Sequence, residues 1–90
     1  MARKIILGER LRELRKNRNL TQTDIAQAFN IHSVTYLHYE KSEREPPLAL
    51  LAEFADFFEV SVDYLLGLED EFGNKLSPTK EEIGEIAFTP

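Results

Sequence analysis

The amino-acid sequence predicts an all-α fold, a single domain built from five short helices. Apolar residues recur at helical spacing in successive stretches between residues 7 and 67. Ninety residues suffice for one domain, which buries roughly 60 to 65 per cent of the surface that the unfolded chain exposes. Between the apolar stretches stand residues that favour helix ends, namely Thr21, Asn30, Pro47, Ser61 and Gly67.

The first predicted helix runs from about residue 7 to residue 18. Leu7, Leu11 and Leu14 occupy positions i, i+4 and i+7, so they form one apolar stripe that we expect to face the core. The other positions carry a cluster of basic residues, for which the simplest interpretation is a solvated face: Arg10, Arg12, Arg15, Lys16 and Arg18.

The next two helices are predicted over about residues 22–29 and 33–41, with a tight corner between them. Thr21 can cap the first of them, because its hydroxyl accepts hydrogen bonds from free amides of the first turn. Asn30 stands at the corner, where it tolerates a left-handed backbone better than other residues except glycine. Ala26 supplies a small side chain where the two helices would cross. The apolar residues expected to face inward are Ile25, Phe29, Ile31, Tyr36 and Tyr39.

The third helix then has an outward face, which follows by elimination. If its apolar and aromatic residues at 31, 36 and 39 point inward, the opposite side collects residues at i, i+1, i+4, i+5 and i+8. These residues are Ser33, Val34, Leu37, His38 and Lys41.

The fourth helix, predicted over residues 48–60, is apolar nearly all round. Its three phenylalanines at 54, 57 and 58 are typical of a core, and they exceed what one face of a small core needs. We therefore expect part of this helix to form a dimer surface. Ser61 caps a short fifth helix, and Gly67 ends it.

Residues 68–90 show no helical stripe, so we predict a helical domain over 1–67 and a C-terminal extension over 68–90. Phe72 to Lys75 indicates a turn, whereas the alternation between residues 83 and 88 is too weak to assign. Three alternatives stay open for the extension: a tail, a strand that pairs with residues 4–7, or a segment that binds a partner.

Composition excludes several classes of protein. The chain has no cysteine, which excludes disulfides, thiolate metal sites and thiol catalysis. Its first ten residues lack the apolar core of a secretory signal, and no stretch approaches the ~18 apolar residues of a membrane span. We therefore expect a soluble cytoplasmic protein with no membrane partner.

The net charge of −5 hides a polarised distribution. Residues 1–18 carry seven basic and two acidic side chains, whereas residues 46–90 carry two basic and ten acidic ones. This asymmetry allows one face to approach phosphates while the other is repelled, although a solvated acidic tail explains the same numbers.

Within the stretch 21–40, Gln22 opens the first helix, Ile25 and Ala26 follow inside it, Ile31 comes after the corner, and Tyr39 and Glu40 close the second. In these positions the chain resembles the helix-turn-helix of the phage repressor and Cro class, the XRE family. The resemblance covers about residues 6 to 68, including 8–15 and 60–67. It implies a five-helix lambda-repressor-like DNA-binding domain with a short, irregular C-terminal extension. Departures from the family pattern are Asn30 and Ser42 in place of glycines and Tyr36 in place of an aliphatic residue.

The resemblance also implies roles for single residues. Arg15 and Glu40 correspond to a structural ion pair that ties the first helix to the end of the third. Double-stranded DNA is the implied partner, with the outward face of the third helix on base edges, Gln22 on a phosphate beside the second helix, and Lys41 and Arg44 on phosphates after the third. The DNA-binding residues expected in this way are Gln22, His32, Ser33, Val34, Thr35, Leu37, His38, Lys41 and Arg44.

The leading hypothesis is therefore a sequence-specific transcriptional regulator, a repressor that binds a pseudo-palindromic operator as a homodimer. Two alternatives remain: an antitoxin whose extension masks a protein partner, and a protein-interaction module that has lost DNA binding. We expect no enzyme activity and no cofactor, because no nucleophile and base pair and no glycine-rich phosphate loop is present. His32 and His38 lack carboxylate or thiol partners at metal-binding spacing, so we expect no metal site.

Overall fold

The computed structural model describes residues 5–76, and these form five helices with no extended strand. In chain order they are α1 (Leu7–Asn17), α2 (Gln22–Ala28), α3 (Ser33–Glu40), α4 (Leu48–Phe58) and α5 (Val62–Leu66). The predicted all-α five-helix fold is confirmed. Each helix begins at the predicted residue and ends one or two residues earlier than predicted.

Side-chain caps start two of the helices, as the sequence predicts. Thr21 and Asp24 form a capping box at α2, in which the Thr21 hydroxyl accepts from the Asp24 amide at 3.0 Å. In return, the Asp24 carboxylate accepts from the Thr21 amide at 2.8 Å, and this hydrogen bond lowers the pKa of Asp24. At α5 the Ser61 hydroxyl accepts from the amide of Tyr64 at 2.9 Å.

Left-handed residues end all five helices. Each helix is followed within two residues by a residue with positive φ, and only the last of these is a glycine, Gly67 at +84°. Asn30 adopts φ of 56° at the corner between α2 and α3, which confirms its predicted role. The other four left-handed residues carry a Cβ, and a left-handed backbone then costs roughly 1 to 2 kcal/mol of local strain. They are Asn19, Asn30, Ser42 and Glu59.

The core centres on Phe54 of α4, which is fully buried. Its ring makes edge-to-face contacts with Phe29 at 4.7 Å, Tyr36 at 5.9 Å and Tyr39 at 6.2 Å between centroids. The aromatic residues of α4 thus join α2 and α3 to α4. Buried side chains of α1, α2, α4 and α5 complete the cluster: Leu7, Leu11, Ile25, Ala26, Leu51, Ala55, Phe58 and Leu65.

The three phenylalanines of α4 pack in or against the core, as the sequence predicts. Phe57 is half-buried and contacts Phe29 at 5.3 Å and Phe58 at 5.0 Å between ring centroids. The large apolar residue that α4 exposes is Leu48 at its first position, with 83% of its surface accessible.

Gly8 allows α1 to pack closely on the end of α3. A Cβ atom at this position would lie 2.4 Å from the carbonyl oxygen of Glu40 and 2.7 Å from Oγ of Ser42. Because the nearest obstacle is backbone, any larger residue must push the two helices apart.

Residues 68–76 fold back on themselves and pack against the helices. The Leu76 amide donates to the Leu68 carbonyl at 2.8 Å, and Asp70 closes the predicted turn by accepting from the amides of Phe72 and Asn74. Arg10 holds this turn, since its Nη1 donates to the carbonyls of Tyr64 at 3.1 Å and Glu69 at 3.2 Å. The sequence-based hypotheses for residues 83–88, and the strand pairing that begins at residue 4, lie outside the described residues.

The left-handed residue at the end of α4 gives a stability prediction. We expect Glu59→Gly to raise the free energy of unfolding by about 1 kcal/mol, because glycine adopts this backbone without strain. The matched control is Glu53→Gly in the middle of the same helix, which should lower it by about 1 kcal/mol. Urea denaturation of both variants checks this, and a destabilised Glu59→Gly would contradict it.

Candidate nucleic-acid interface

A partly buried ion pair fixes the end of α3 against α1. Arg15 donates from Nε to Oε2 of Glu40 at 2.6 Å and from Nη2 to Oε1 at 3.1 Å, which is the parallel two-bond geometry of strong guanidinium-carboxylate pairs. Only 11% of the Arg15 side chain and 3% of the Glu40 side chain are exposed. The two residues that the resemblance pairs are therefore joined in this structure.

Gln22 completes this contact from α2. Its Nε2 donates to Oε1 of Glu40 at 3.1 Å, and Arg15 also donates from Nη1 to the carbonyl of Leu20 at 2.9 Å. One carboxylate thus connects α1, the start of α2 and the end of α3. The sequence indicated only a phosphate contact for Gln22, so this hydrogen bond was not predicted.

The surroundings of Glu40 decide its ionisation. Burial alone would raise its pKa, but the Arg15 guanidinium, the nearby Tyr36 hydroxyl and the Gln22 amide together hold the pKa of Glu40 below the usual 4.5. The Tyr36 hydroxyl is itself buried and has no hydrogen-bond partner of good geometry within residues 5–76. Burial and the Glu40 carboxylate raise the pKa of Tyr36, so it remains a neutral phenol.

The outward face of α3 lies where the sequence predicted. Tyr36 and Tyr39 point into the core, while Val34 on the opposite side is 60% exposed. His32, which precedes the helix, and Ser33 are also exposed. The remaining residues of the expected set are half-buried on the helix or exposed in the loop after it: Thr35, Leu37 and His38, then Lys41 and Arg44.

His38 contacts the loop that follows α3. Its Nδ1 lies 2.7 Å from Oε1 of Glu43, and its carbonyl accepts from the amides of Glu43 at 2.9 Å and Arg44 at 3.3 Å. Hence one ring nitrogen of His38 is occupied by the protein, and an acidic group lies beside the exposed face. In the sequence, the only signal for this contact was a histidine and a glutamate five residues apart.

Neither a metal-binding cluster nor a membrane-spanning helix is present among the residues that the structure describes. Residues 5–76 hold no group of three His, Asp or Glu side chains that could bind a metal ion. None of the helices between residues 5 and 76 has the length and apolar character needed to cross a membrane.

Comparison with known proteins shows which family has this geometry. Residues 11–65 match the family model described as helix-turn-helix. An uncharacterized HTH-type transcriptional regulator of Bacillus subtilis, YobD, is 43% identical over 63 residues, which cover 70% of this chain and 56% of that protein. The cryptic phage CTXphi transcriptional repressor RstR of Vibrio cholerae is 39% identical over 61 residues, which cover 68% of this chain and 54% of that protein.

A solved structure has the same overall arrangement. The crystal structure of a transcriptional regulator from Listeria innocua superimposes with a TM-score of 0.68 at 28% identity, covering 96% of this chain and 88% of that chain. The chain spans about half the length of the curated relatives it matches.

The partly buried ion pair predicts a loss of stability when one partner is removed. We expect Arg15→Ala to lower the free energy of unfolding by about 3 kcal/mol, because it leaves the Glu40 carboxylate buried without its cation. Arg12→Ala on the same helix is the matched control and should leave the melting temperature unchanged, since Arg12 is exposed and makes no ion pair within residues 5–76. Thermal denaturation measures both variants, and a melting temperature of Arg15→Ala equal to that of the parent would contradict the prediction.

The same pair sets an acid limit on stability. Because the folded-state pKa of Glu40 is lowered, the stabilisation it contributes is present above the unfolded value of about 4.5 and is lost as pH falls through the folded value. Unfolding free energies of the parent should therefore fall below pH 4.5 more steeply than those of Glu40→Gln.

Proposed function

The chain belongs to the helix-turn-helix family of transcriptional regulators, and from this we propose that it binds double-stranded DNA and represses transcription. The observation that carries the proposal is the exposed face of α3, held in one orientation by the network of Arg15, Gln22 and Glu40. A helix of this kind fits the major groove, where its outward side chains meet base edges.

Base recognition is assigned to four residues of α3. Ser33 can donate or accept a hydrogen bond, and Val34 and Leu37 can cover thymine methyl groups. His38 has its Nε2 left for a base edge or a phosphate, because Nδ1 contacts Glu43. None of the four makes the two-bond contacts of Arg, Asn or Gln, so selectivity is modest and depends partly on DNA shape.

Phosphate contacts are assigned to Lys41 and Arg44, which are exposed after α3 and have no acidic partner within residues 5–76. His32 and Thr35, at the start of α3, flank the same face, and Gln22 adds an amide beside it. Glu43 lies between these two cations in the sequence and Glu45 follows Arg44, and both carboxylates reduce the attraction of the loop for DNA.

The homodimer is assigned to apolar surface on the side of α4 and the extension. Leu48 and Phe72 are 83% and 80% exposed, and Ile5 at 44% lines a groove with Leu48. The first residues of α3 do not line this groove, so a dimer here leaves the start of the outward face of α3 free for two half-sites of an operator, although Arg44 lines the groove as well.

A protein-interaction module without DNA binding is the alternative that a structural observation favours. Val34 is a large exposed apolar residue on α3, and Glu43 places negative charge beside His38 of the same helix. The antitoxin alternative predicts co-purification with a small basic protein. Failure of the parent to bind any duplex at low salt would support the interaction module and contradict the proposed function.

Substitutions should separate base contacts from phosphate contacts. We expect Lys41→Ala and Arg44→Ala to weaken all duplexes about equally and to lower the slope of log K against log salt by roughly one unit each. Val34→Ala or Ser33→Ala should instead change the preferred sequence, by about 1 to 3 kcal/mol per good contact. Selection from randomised duplexes measures the sequence preference of each variant. A preference altered in Lys41→Ala alone would contradict the assignment of the outward face of α3 to base edges.

Exposed apolar surface predicts the oligomeric state. We expect the full chain to sediment as a dimer at micromolar concentration and Leu48→Glu to sediment as a monomer, because the charge cannot be buried in the contact. Val34→Glu is the matched control, since it makes the same kind of change on the free face of α3 and should remain dimeric. A parent protein that sediments as a monomer even when it is bound to operator DNA would contradict the predicted dimer.

A further inference from the structure

The end of α3 brings a histidine and a glutamate together through the backbone. Ser42, two residues after the helix, has φ of 60°, and its amide donates to the carbonyl of Tyr39 at 3.2 Å. The amide of Glu43 donates to the carbonyl of His38 at 2.9 Å. These two hydrogen bonds around a left-handed residue form a Schellman motif, which places the residue after the turn beside the third-last residue of the helix. Main-chain geometry therefore holds Glu43 next to His38.

The two side chains that this motif brings together make a polar contact. Such a pair is frequently apolar, whereas here Nδ1 of His38 lies 2.7 Å from Oε1 of Glu43. The His38 side chain is 38% exposed and that of Glu43 is 53% exposed, so the contact lies at the surface. Val34, which is also exposed, lies one turn earlier on the same side of α3. The His38 ring is thus part of the outward face of this helix.

The contact with Glu43 decides which nitrogen of the neutral His38 ring carries the proton. A neutral imidazole has one N–H donor and one nitrogen with a lone pair, and an ionised carboxylate can only accept hydrogen bonds. Because Nδ1 lies at hydrogen-bond distance from the carboxylate of Glu43, Nδ1 is the donor. Nε2 is then an acceptor, and it has no hydrogen-bond partner within residues 5–76.

An accepting Nε2 discriminates among the groups that duplex DNA offers. In the major groove adenine presents an amino group at N6 and cytosine presents one at N4, and both are donors. Guanine and thymine present keto oxygens at the corresponding positions, and these are acceptors, as phosphate oxygens are. A nitrogen lone pair can bond to an amino group, whereas against a keto oxygen or a phosphate it meets another lone pair.

We propose that Glu43 is a positioning residue for base recognition. It holds His38 in the tautomer whose Nε2 accepts, so the ring selects a base with an amino group, adenine or cytosine, over one with a keto group, guanine or thymine. This inference rests on the proposed DNA binding and adds to it a rule for one base position. The effect of Glu43 on sequence preference is separate from the effect of its negative charge on affinity.

Selection from randomised duplexes at pH 8.5, where a free histidine is almost entirely neutral, tests the inference. We expect one position at which the parent prefers adenine or cytosine by about fivefold, the net effect of one hydrogen bond. His38→Ala should lose this preference. Glu43→Ala should lose it as well, because either ring nitrogen can then carry the proton. The matched control is Glu45→Ala, which removes the same charge from the same loop without an ion pair to His38 and should keep the preference.

Affinity and preference should respond differently to the two glutamates. Both Glu43→Ala and Glu45→Ala should raise the affinity for all duplexes to a similar extent, because each removes one negative charge. When Glu43→Ala is added to His38→Ala, it should change only the affinity, since the ring whose proton it positions is gone.

The nitrogen chemical shifts of the His38 ring report the tautomer directly, in the unmutated protein without DNA. At pH 8.5 we expect a protonated Nδ1 and an unprotonated Nε2 in the parent and in Glu45→Ala. In Glu43→Ala the two shifts should move toward each other as the tautomers mix. A proton on Nε2 in the parent would overturn the inference, whatever the variants do.

Failure of this inference differs from failure of the proposed function. If the parent binds duplex DNA but either His38→Ala or Glu43→Ala leaves the base preference unchanged, the inference is wrong and the proposed function stands. The inference is also wrong if His38→Ala weakens all duplexes equally and lowers the salt dependence, because the ring then acts as a cation on a phosphate. A parent that binds no duplex at low salt overturns both.

Discussion

The Glu40 carboxylate is the group on which the arrangement of α1, α2 and α3 depends. α3 has eight residues, too few to be stable alone in water, so its orientation must come from tertiary contacts. Glu40 is the last residue of this helix, and it receives hydrogen bonds from Arg15 on α1 and Gln22 on α2. These hydrogen bonds fix the end of α3, and with it the orientation of the exposed face that we propose for DNA binding.

Close packing supports the same junction. Gly8 lets the α1 backbone approach the Glu40 carbonyl, and the Tyr36 ring beneath packs edge-to-face on Phe54. Such a junction has little freedom to adjust, because the obstacle at Gly8 is backbone and the Tyr36 side chain is fully buried. Contacts behind the exposed face of α3 therefore set its position.

Distribution of charge matters more than its total in this chain. The net charge is −5, yet Lys41 and Arg44 after α3 have no carboxylate within 4.0 Å among residues 5–76, and many of the acidic residues lie after residue 46. The face proposed for DNA binding is not free of negative charge, since Asp24 caps α2 and Glu43 contacts His38. These carboxylates stabilise local structure, and in the proposed complex they would lower the attraction for phosphates.

Much of the fold and of the exposed face could be predicted from the sequence because the signals are local. The apolar stripe of α1, the caps at Thr21 and Ser61 and the corner at Asn30 depend on residues no more than a few positions apart. Periodicity also predicted which side of α3 faces outward, since Tyr36 and Tyr39 could only be accommodated inside.

Apart from the Arg15–Glu40 pair, which the family resemblance predicts, only the tertiary structure decided which partner each polar side chain meets. Arg10, Arg12, Arg15 and Arg18 look alike in sequence, yet Arg15 bonds to a residue 25 positions away and Arg10 to one 59 positions away, while Arg12 stays exposed. Likewise, Gln22 bonds to Glu40 and Phe57 packs against the core. Helical spacing specifies a direction on a cylinder, but the neighbour found in that direction depends on how the helices pack, and that is a property of the whole chain.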